Sequence, residues 1–169
     1  VPIGARSDFA TDVNFPMEVG IAYGIRLTDE ISVGVDFEWI QFSSFDTLPL
    51  GSSAPPPGLP AGVDYKFKNT FTLGIGGEWR FKRGWIARAS YHFFESPVSD
   101  KYFRPSIPDA NQHVITCGLG YETDHHSFDF GYGIDFYEER NISNNVNPQF
   151  NGNYDTMVHL FALNYRYRF

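Results

Sequence analysis

The sequence is poor in cysteine, in basic residues and in long apolar runs, and each shortage excludes a class of protein. Cys117 is the only cysteine in 169 residues, which excludes an intrachain disulfide framework. With 13 Lys and Arg against 20 Asp and Glu, the net charge of -7 argues against a nucleic-acid-binding protein, which needs a basic face. The sequence contains no run of about 18 apolar residues, so it predicts no transmembrane helix. The N-terminus lacks a signal-peptide pattern. A mature secreted chain and an internal fragment both fit these observations.

Aromatic residues are abundant, at 18% of the chain, although only 42% of the residues are hydrophobic. Helical spacing of the apolar residues is rare, whereas strict alternation with polar residues is frequent and predicts β-strands. Residues 1–16 do not alternate and are interpreted as an incoming outside loop, followed over 17–169 by a single β-barrel segment. Its seven predicted strands, in meander order, are 17–27, 31–42, 70–81, 85–95, 113–123, 127–138 and 156–169.

The two faces of the predicted strands differ in chemistry. At the central positions of all seven segments, one face is apolar except at Gly77 and His159, and it carries no Asp, Glu, Lys or Arg. The opposite face is rich in charge and glycine. In the segment ISVGVDFEW, for example, the apolar face carries Ile31, Val33, Val35, Phe37 and Trp39, and the polar face carries Ser32, Gly34, Asp36 and Glu38.

This alternation fits either a soluble β-sandwich or lipocalin-like barrel, whose apolar face turns to a dry core, or a transmembrane barrel. Two features favour the membrane barrel. Hydrocarbon requires a continuous apolar exterior with aromatic residues near the strand ends, while the interior accepts charge. Interior glycine also weakens a strand, so a glycine-rich polar face would add little stability to a soluble sheet. The prediction is therefore an all-β protein, an antiparallel transmembrane β-barrel of a bacterial outer membrane.

The connections between predicted strands alternate in length. Residues 28–30, 82–84 and 124–126 form short turns, whereas 43–69, 96–112 and 139–155 form long loops. Outer-membrane barrels have short periplasmic turns and long outside loops, so the last strand is expected to run inward. Its aromatic face ends at Phe169 and resembles the terminal strand signature by which the outer-membrane assembly machinery recognises its clients.

Three short motifs stand out between residues 96 and 121. They are Ser96-Pro97-Val98 after an aromatic strand end, Ile107-Pro108-Asp109 before the next strand, and Gly118-Leu119-Gly120-Tyr121 closing that strand. Together these motifs resemble the FadL family of outer-membrane transporters for long-chain fatty acids and other hydrophobic compounds. Two longer stretches, NFPMEVGIAYGIRLTDEISVGVDFEWIQF and NGNYDTMVHLFALNYRYRF, also match the family pattern, so the resemblance covers nearly the whole chain.

The resemblance implies that this chain is the C-terminal half of a 14-stranded barrel with an N-terminal plug. It also implies uptake of hydrophobic molecules by capture in an outer apolar groove, passage into the barrel and lateral release. Open sheet edges in lipid leave backbone groups unpaired at a cost of several kcal/mol each, so a missing N-terminal half or another chain is expected to close the barrel. No binding residue is carried over, because the family's pocket draws on the plug and the N-terminal strands.

The polar face supplies the candidate functional residues. Its charges are expected to pair into a ladder that holds the wall and anchors the plug, since charges taken partly out of water usually pair. An arginine there would suit a fatty-acid carboxylate, and Arg88 is favoured because it lies mid-strand. The ligand-binding candidates are Arg88, His92, Glu78, Arg80, Arg26 and Glu38, and further inward charges are Glu18, Asp36, Asp129, Asp135, Arg166 and Arg168.

Two other functions are kept as alternatives to transport. A small complete barrel of eight strands, with a structural or adhesion role, would follow if residues 1–16 formed a strand. An enzyme is suggested by Ser90 and His92, which are spaced as in outer-membrane phospholipases, but alternation turns this pair inward rather than to lipid. The Asp124-His125-His126 turn lacks a closing fourth ligand for a metal. No catalytic residue, metal site or cofactor is predicted.

Overall fold

The computed structural model describes residues 9–11, 13–49, 51–52 and 62–169. Its main element is a seven-stranded antiparallel sheet in which each strand pairs with the next along the chain. Every strand begins and ends within two residues of a predicted segment, and the predicted fold class is confirmed. The strands are β1 (Glu18–Arg26), β2 (Ile31–Ile40), β3 (Thr70–Phe81), β4 (Trp85–Phe94), β5 (Gln112–Glu122), β6 (His126–Tyr137) and β7 (Met157–Tyr167).

The sheet exposes its apolar face, which we call the outer face, and shelters its polar face, the inner face. Phe37, Trp79 and Phe130 on the outer face are 41%, 50% and 47% exposed, whereas Asp135 on the inner face is 8% exposed. A soluble sheet would show the reverse, because burial of the apolar face drives its folding. The exposure pattern therefore fits a sheet whose apolar side meets lipid.

Short turns join the strands at one end of the sheet, which we call the short-turn end. Two of these turns use the same chemistry: Thr28 Oγ1 accepts from the backbone N–H of Ile31 at 3.0 Å, and Thr123 Oγ1 accepts from that of His126 at 3.0 Å. The third turn, Lys82–Gly84, needs glycine at its last position. Gly84 has φ +82, and a Cβ there would collide with the carbonyl oxygen of Glu122.

Long loops leave the opposite end, the long-loop end, and contain several short elements. Three pairs of very short strands join Phe9–Ala10 to Gly51–Ser52, Thr47–Pro49 to Gly62–Asp64, and Arg140–Ile142 to Gly152–Tyr154. Single turns of 3-10 helix lie at Phe42–Ser44, Asp100–Tyr102 and Pro148–Phe150. The predicted alternation of short turns and long loops is thus present.

The packed hydrophobic cluster of the described residues lies in these loops rather than on the sheet. Val98, Phe103 and Ile142 are buried together, with Phe67 and Tyr154 packed against them. We call these five residues the loop cap. Because they come from all three long loops, the loops form one joined structure above the sheet.

Arg140 fastens the loop cap. Its guanidinium donates to Asp100 Oδ1 at 2.7 Å, to the carbonyl of Asp109 at 2.7 Å and to the carbonyl of Val98 at 2.7 Å. The same group lies over the Phe103 ring, 5.4 Å from its centroid. One side chain therefore satisfies several groups of the neighbouring loop, which holds the two loops in a fixed relation.

The 43–69 loop has its own ion pair, between Lys66 Nζ and Asp46 Oδ2 at 2.6 Å. The hydrogen bond to Asp46 raises the pKa of Lys66 above its ordinary value. Both groups are largely exposed, so this pair adds little to the stability of the loop.

The eight-stranded alternative needs a strand from residues 1–16 in the sheet. In the described part of that segment, Phe9–Ala10 pairs with Gly51–Ser52 and joins no wall strand. Residues 1–8 and 12 lie outside the described residues, so the interpretation of 1–16 as an incoming outside loop stays a prediction there. Within the described ranges, no helix is long and apolar enough to cross a membrane.

Candidate functional site

A ladder of ion pairs runs across the inner face at the short-turn end. Arg88 lies at its centre, with Nε 2.7 Å from Glu78 Oε2 and Nη1 2.8 Å from Asp129 Oδ1. Glu78 also accepts from Arg80 Nε at 2.7 Å, so its two oxygens are shared between two arginines. These contacts join β3, β4 and β6, and they tie together strands that are not neighbours in the sheet.

The ladder continues to the end of the chain through Glu122. Arg80 Nη1 lies 3.5 Å from Glu122 Oε2, and Arg168 Nη2 lies 2.6 Å from Glu122 Oε1. Three arginines and three carboxylates thus alternate, and their charges balance. We define the ladder as Arg168, Glu122, Arg80, Glu78, Arg88 and Asp129.

The local sequence makes room for this ladder with glycine. On β5, Gly118 lies opposite Arg88 of β4, and Gly120 lies opposite Ile86 of β4. A Cβ at Gly120 would lie 2.6 Å from Asp129 Oδ1 and 3.2 Å from Arg88 Nη1. The glycines of the inner face therefore let long charged side chains cross from strand to strand.

A second polar contact lies nearer the long-loop end, between Asp36 and His92. His92 Nε2 is 3.7 Å from Asp36 Oδ1, and both side chains reach over Gly74, which separates them in the sheet. A Cβ at Gly74 would lie 2.6 Å from His92 Cδ2, so glycine is needed for this approach. Ser90 does not join them, since its Oγ lies 2.7 Å from Thr116 Oγ1.

The six candidate residues do not form one site. Arg88, Glu78 and Arg80 meet in the ladder, His92 pairs with Asp36, and Arg26 and Glu38 lie near opposite ends of β1 and β2. Glu122 was not among the predicted inward charges, although alternation places it on the inner face and was a sufficient signal. Arg140 was not predicted either, because it lies in a loop where no periodic pattern points to a partner. Asp109 was noted only as part of the Ile107-Pro108-Asp109 motif, and its contact with Arg140 was not predicted.

Apolar depressions in the sheet are open grooves rather than closed pockets. A groove of about 580 Å³ on the outer face is lined by Trp85, Leu119, Tyr121, Phe128 and Tyr165, among others. Another, of about 470 Å³, lies between β1, β2, β3 and β4 around Tyr23 and Phe37. An enclosed ligand pocket would need walls from beyond this sheet. Among the described residues, no cluster of three or more His, Cys, Asp and Glu is arranged to hold a metal ion.

Solved structures share this fold. A FadL homologue of Pseudomonas aeruginosa superposes with a TM-score of 0.74 at 24% identity, over 90% of this chain and 35% of the homologue. The toluene transporter TbuX of Ralstonia pickettii superposes with a TM-score of 0.59 at 14% identity, over 90% of this chain and 33% of TbuX. The chain thus spans about a third of the length of either protein. No curated protein matches the sequence.

A protein-family model described as outer membrane protein transport protein (OMPP1/FadL/TodX) matches residues 2–169. The match covers nearly all of the chain. The chain therefore belongs to the OMPP1/FadL/TodX family of outer-membrane transport proteins.

Proposed function

We propose that this chain forms half of a closed outer-membrane barrel that takes up hydrophobic small molecules. The observation that carries the proposal is the sheet with its aromatic, apolar side chains exposed and the ladder of paired charges on the sheltered face. Such a sheet is unstable in water, because its outer face would remain hydrated, and suits lipid on one side and a polar lumen on the other. The family's transport role supports uptake as the function.

The directions of the two edge strands restrict which partner can close the barrel by antiparallel pairing. β1 runs from the long-loop end to the short-turn end, and so does β7, because the sheet has an odd number of antiparallel strands. Antiparallel closure needs a partner whose two edges run the other way, which is another odd-numbered sheet. A second copy inserted in the same orientation would meet both edges in parallel. We therefore assign closure to the N-terminal half of the same gene product rather than to a second copy.

The ligand is assigned only as a hydrophobic small molecule, since relatives include a FadL homologue and a toluene transporter. The assignment of Arg88 to a ligand carboxylate meets a specific obstacle. Nε and Nη1 are already engaged by Glu78 and Asp129, so a ligand would have to use Nη2 or displace one of them. In this proposal Arg88, Glu78 and Arg80 chiefly hold the wall, while His92, Arg26 and Glu38 face the lumen.

Uptake by the protein from its whole gene tests the function. We expect a Gram-negative host that lacks its own hydrophobic uptake barrel to accumulate labelled oleate or toluene several times faster when this protein is present. The matched controls are the empty host and the host with an unrelated outer-membrane barrel at equal abundance. Equal rates in all three would refute the transport proposal.

Outer-membrane insertion is assigned to the C-terminal strand. Phe161, Leu163, Tyr165, Tyr167 and Phe169 form an exposed aromatic edge, and Phe169 itself is fully exposed. If the assembly machinery binds this edge, removing Phe169 should reduce the amount of protein in the outer membrane severalfold. Phe37→Ala, on the outer face of β2 and outside this edge, serves as the control. Equal outer-membrane amounts of the truncated and intact proteins in fractionated cells would contradict the assignment.

A further inference from the structure

Three histidines of the outer face are each joined to a tyrosine of the neighbouring strand. In all three pairs, the tyrosine Oη atom lies 2.8–3.0 Å from Nδ1 of the imidazole. The strand registers set each histidine two positions closer to the end of the sheet than its tyrosine, so each hydroxyl reaches towards the rim. The pairs are Tyr91–His113, Tyr132–His159 and Tyr165–His126.

The pairs mark two levels on the outer face, one near the long-loop end and one, at His126, at the short-turn end. His159 lies opposite Ile134, eight residues along β6 from His126. His113 lies opposite Phe136, ten residues along the same strand. At about 3.4 Å per residue and a strand tilt of about 40°, these spacings correspond to roughly 21–26 Å across a membrane. Because outer-membrane barrels present an apolar band of about 25 Å to lipid, the histidines lie at its two boundaries.

One of the three pairs has a third member, Glu138, at the rim. Glu138 Oε1 lies 3.2 Å from Nε2 of His113, and Oε2 accepts from Asn111 Nδ2 at 2.9 Å. Since a carboxylate only accepts, the Nε2 atom of His113 carries a proton. The Nδ1 atom of the neutral ring then accepts from the Tyr91 hydroxyl. The pair at His113 thus shows a complete arrangement of a tyrosine donor, an imidazole and an anionic oxygen at the rim.

The other two pairs carry the same donor at the rim without a protein acceptor. The Tyr132 and Tyr165 hydroxyls engage Nδ1 of their histidines as Tyr91 does, so a neutral ring has its N–H at Nε2. Among the described residues, none accepts from Nε2 of His126 or His159, and both side chains are exposed. An N–H at the edge of hydrocarbon is costly unless a partner accepts from it. The acceptor that a bilayer offers at this level in both leaflets is the lipid phosphate.

We propose that His126 and His159 are membrane anchors that bind lipid phosphate groups through Nε2–H, one in each leaflet. The tyrosine fixes the ring, and the phosphate takes the place that Glu138 occupies beside His113. An anionic oxygen makes a stronger hydrogen bond than a neutral ester carbonyl, which favours the phosphate as partner. The proposal rests on the lipid-facing outer face of the proposed barrel and does not depend on the transported ligand.

Vesicles that differ only in the lipid headgroup test the anchors. The measurement is urea unfolding of the protein from its whole gene, refolded into phosphatidylcholine or into a phosphate-free digalactosyl lipid with the same acyl chains. His126→Phe and His159→Phe keep an aromatic ring but lose the N–H. Each should lower the folding equilibrium constant about fivefold more in phosphatidylcholine than in the galactolipid. His113→Phe is the matched control and should cost the same in both lipids, because Glu138 is its partner.

Two further measurements complete the test. A nitrogen–phosphorus contact between histidine and lipid in solid-state NMR of the wild type needs no variant, and its absence would overturn the anchors. Inorganic phosphate added to the galactolipid vesicles should leave the wild type unchanged, whereas a fivefold gain would assign the site to a free anion instead of a lipid.

Heat-dependent mobility in detergent gels checks that each variant folds as a barrel. If all three histidine variants lose the same stability in both lipids, the histidines only pack, and the anchors are wrong while the barrel stands. If the wild type folds into neither kind of vesicle, the barrel proposal fails and the anchors with it.

Discussion

Replacing Ala89 with arginine is expected to lower the free energy of unfolding by about 2–4 kcal/mol when the barrel is in lipid. Ala89 lies mid-strand on the outer face of β4 and is exposed. If that face meets hydrocarbon, the guanidinium must be buried near the bilayer midplane without a partner. Urea unfolding of the protein refolded into vesicles, followed by tryptophan fluorescence, measures this cost.

The same substitution on the inner face provides the control. Ala162 lies on β7 opposite Gly131, with its side chain on the polar side of the sheet. Because a lumen position stays in contact with water, Ala162→Arg should cost no more than about 1 kcal/mol. Equal costs at the two positions, or a larger cost at Ala162, would show that the apolar face does not meet lipid.

Replacing Arg88 with methionine is expected to cost about 2 kcal/mol. Removing one partner of a fully buried ion pair costs about 3–5 kcal/mol, and the value here is lower because all three groups keep some exposure to solvent. Most of this cost should come from Asp129, which loses its ion-pair partner, since Glu78 keeps its contact with Arg80 at 2.7 Å. The measurement is again urea unfolding of the refolded protein.

A double-mutant cycle separates this charge effect from lost packing. Arg88→Met combined with Asp129→Asn should recover about 1 kcal/mol relative to Arg88→Met alone, because the stranded carboxylate is gone. Arg83→Met, in the exposed turn between β3 and β4, should be neutral within about 0.5 kcal/mol. If the two substitutions at Arg88 and Asp129 are simply additive, the ladder does not hold the wall.

The period of two was enough to find the seven strands and their faces. The alternation is clear in this sequence because successive residues of each strand face lipid and lumen in turn. Lipid requires apolar side chains, the lumen accepts polar ones, and no tertiary packing changes this pattern. Short turns were also readable, since Thr28, Thr123 and Gly84 carry local turn chemistry. The contacts of the loop cap could not be predicted from the sequence, because Arg140 and its partners in the 96–112 loop lie in segments without periodic spacing of apolar and polar residues.

For the candidate residues, the sequence determined which face each charge occupies, because side-chain direction in a strand follows from parity alone. It did not determine which charges meet. Only the strand registers bring Arg88 between Glu78 and Asp129, and separate both from Asp36 and His92, because such partners lie 10 to 56 positions apart in the chain.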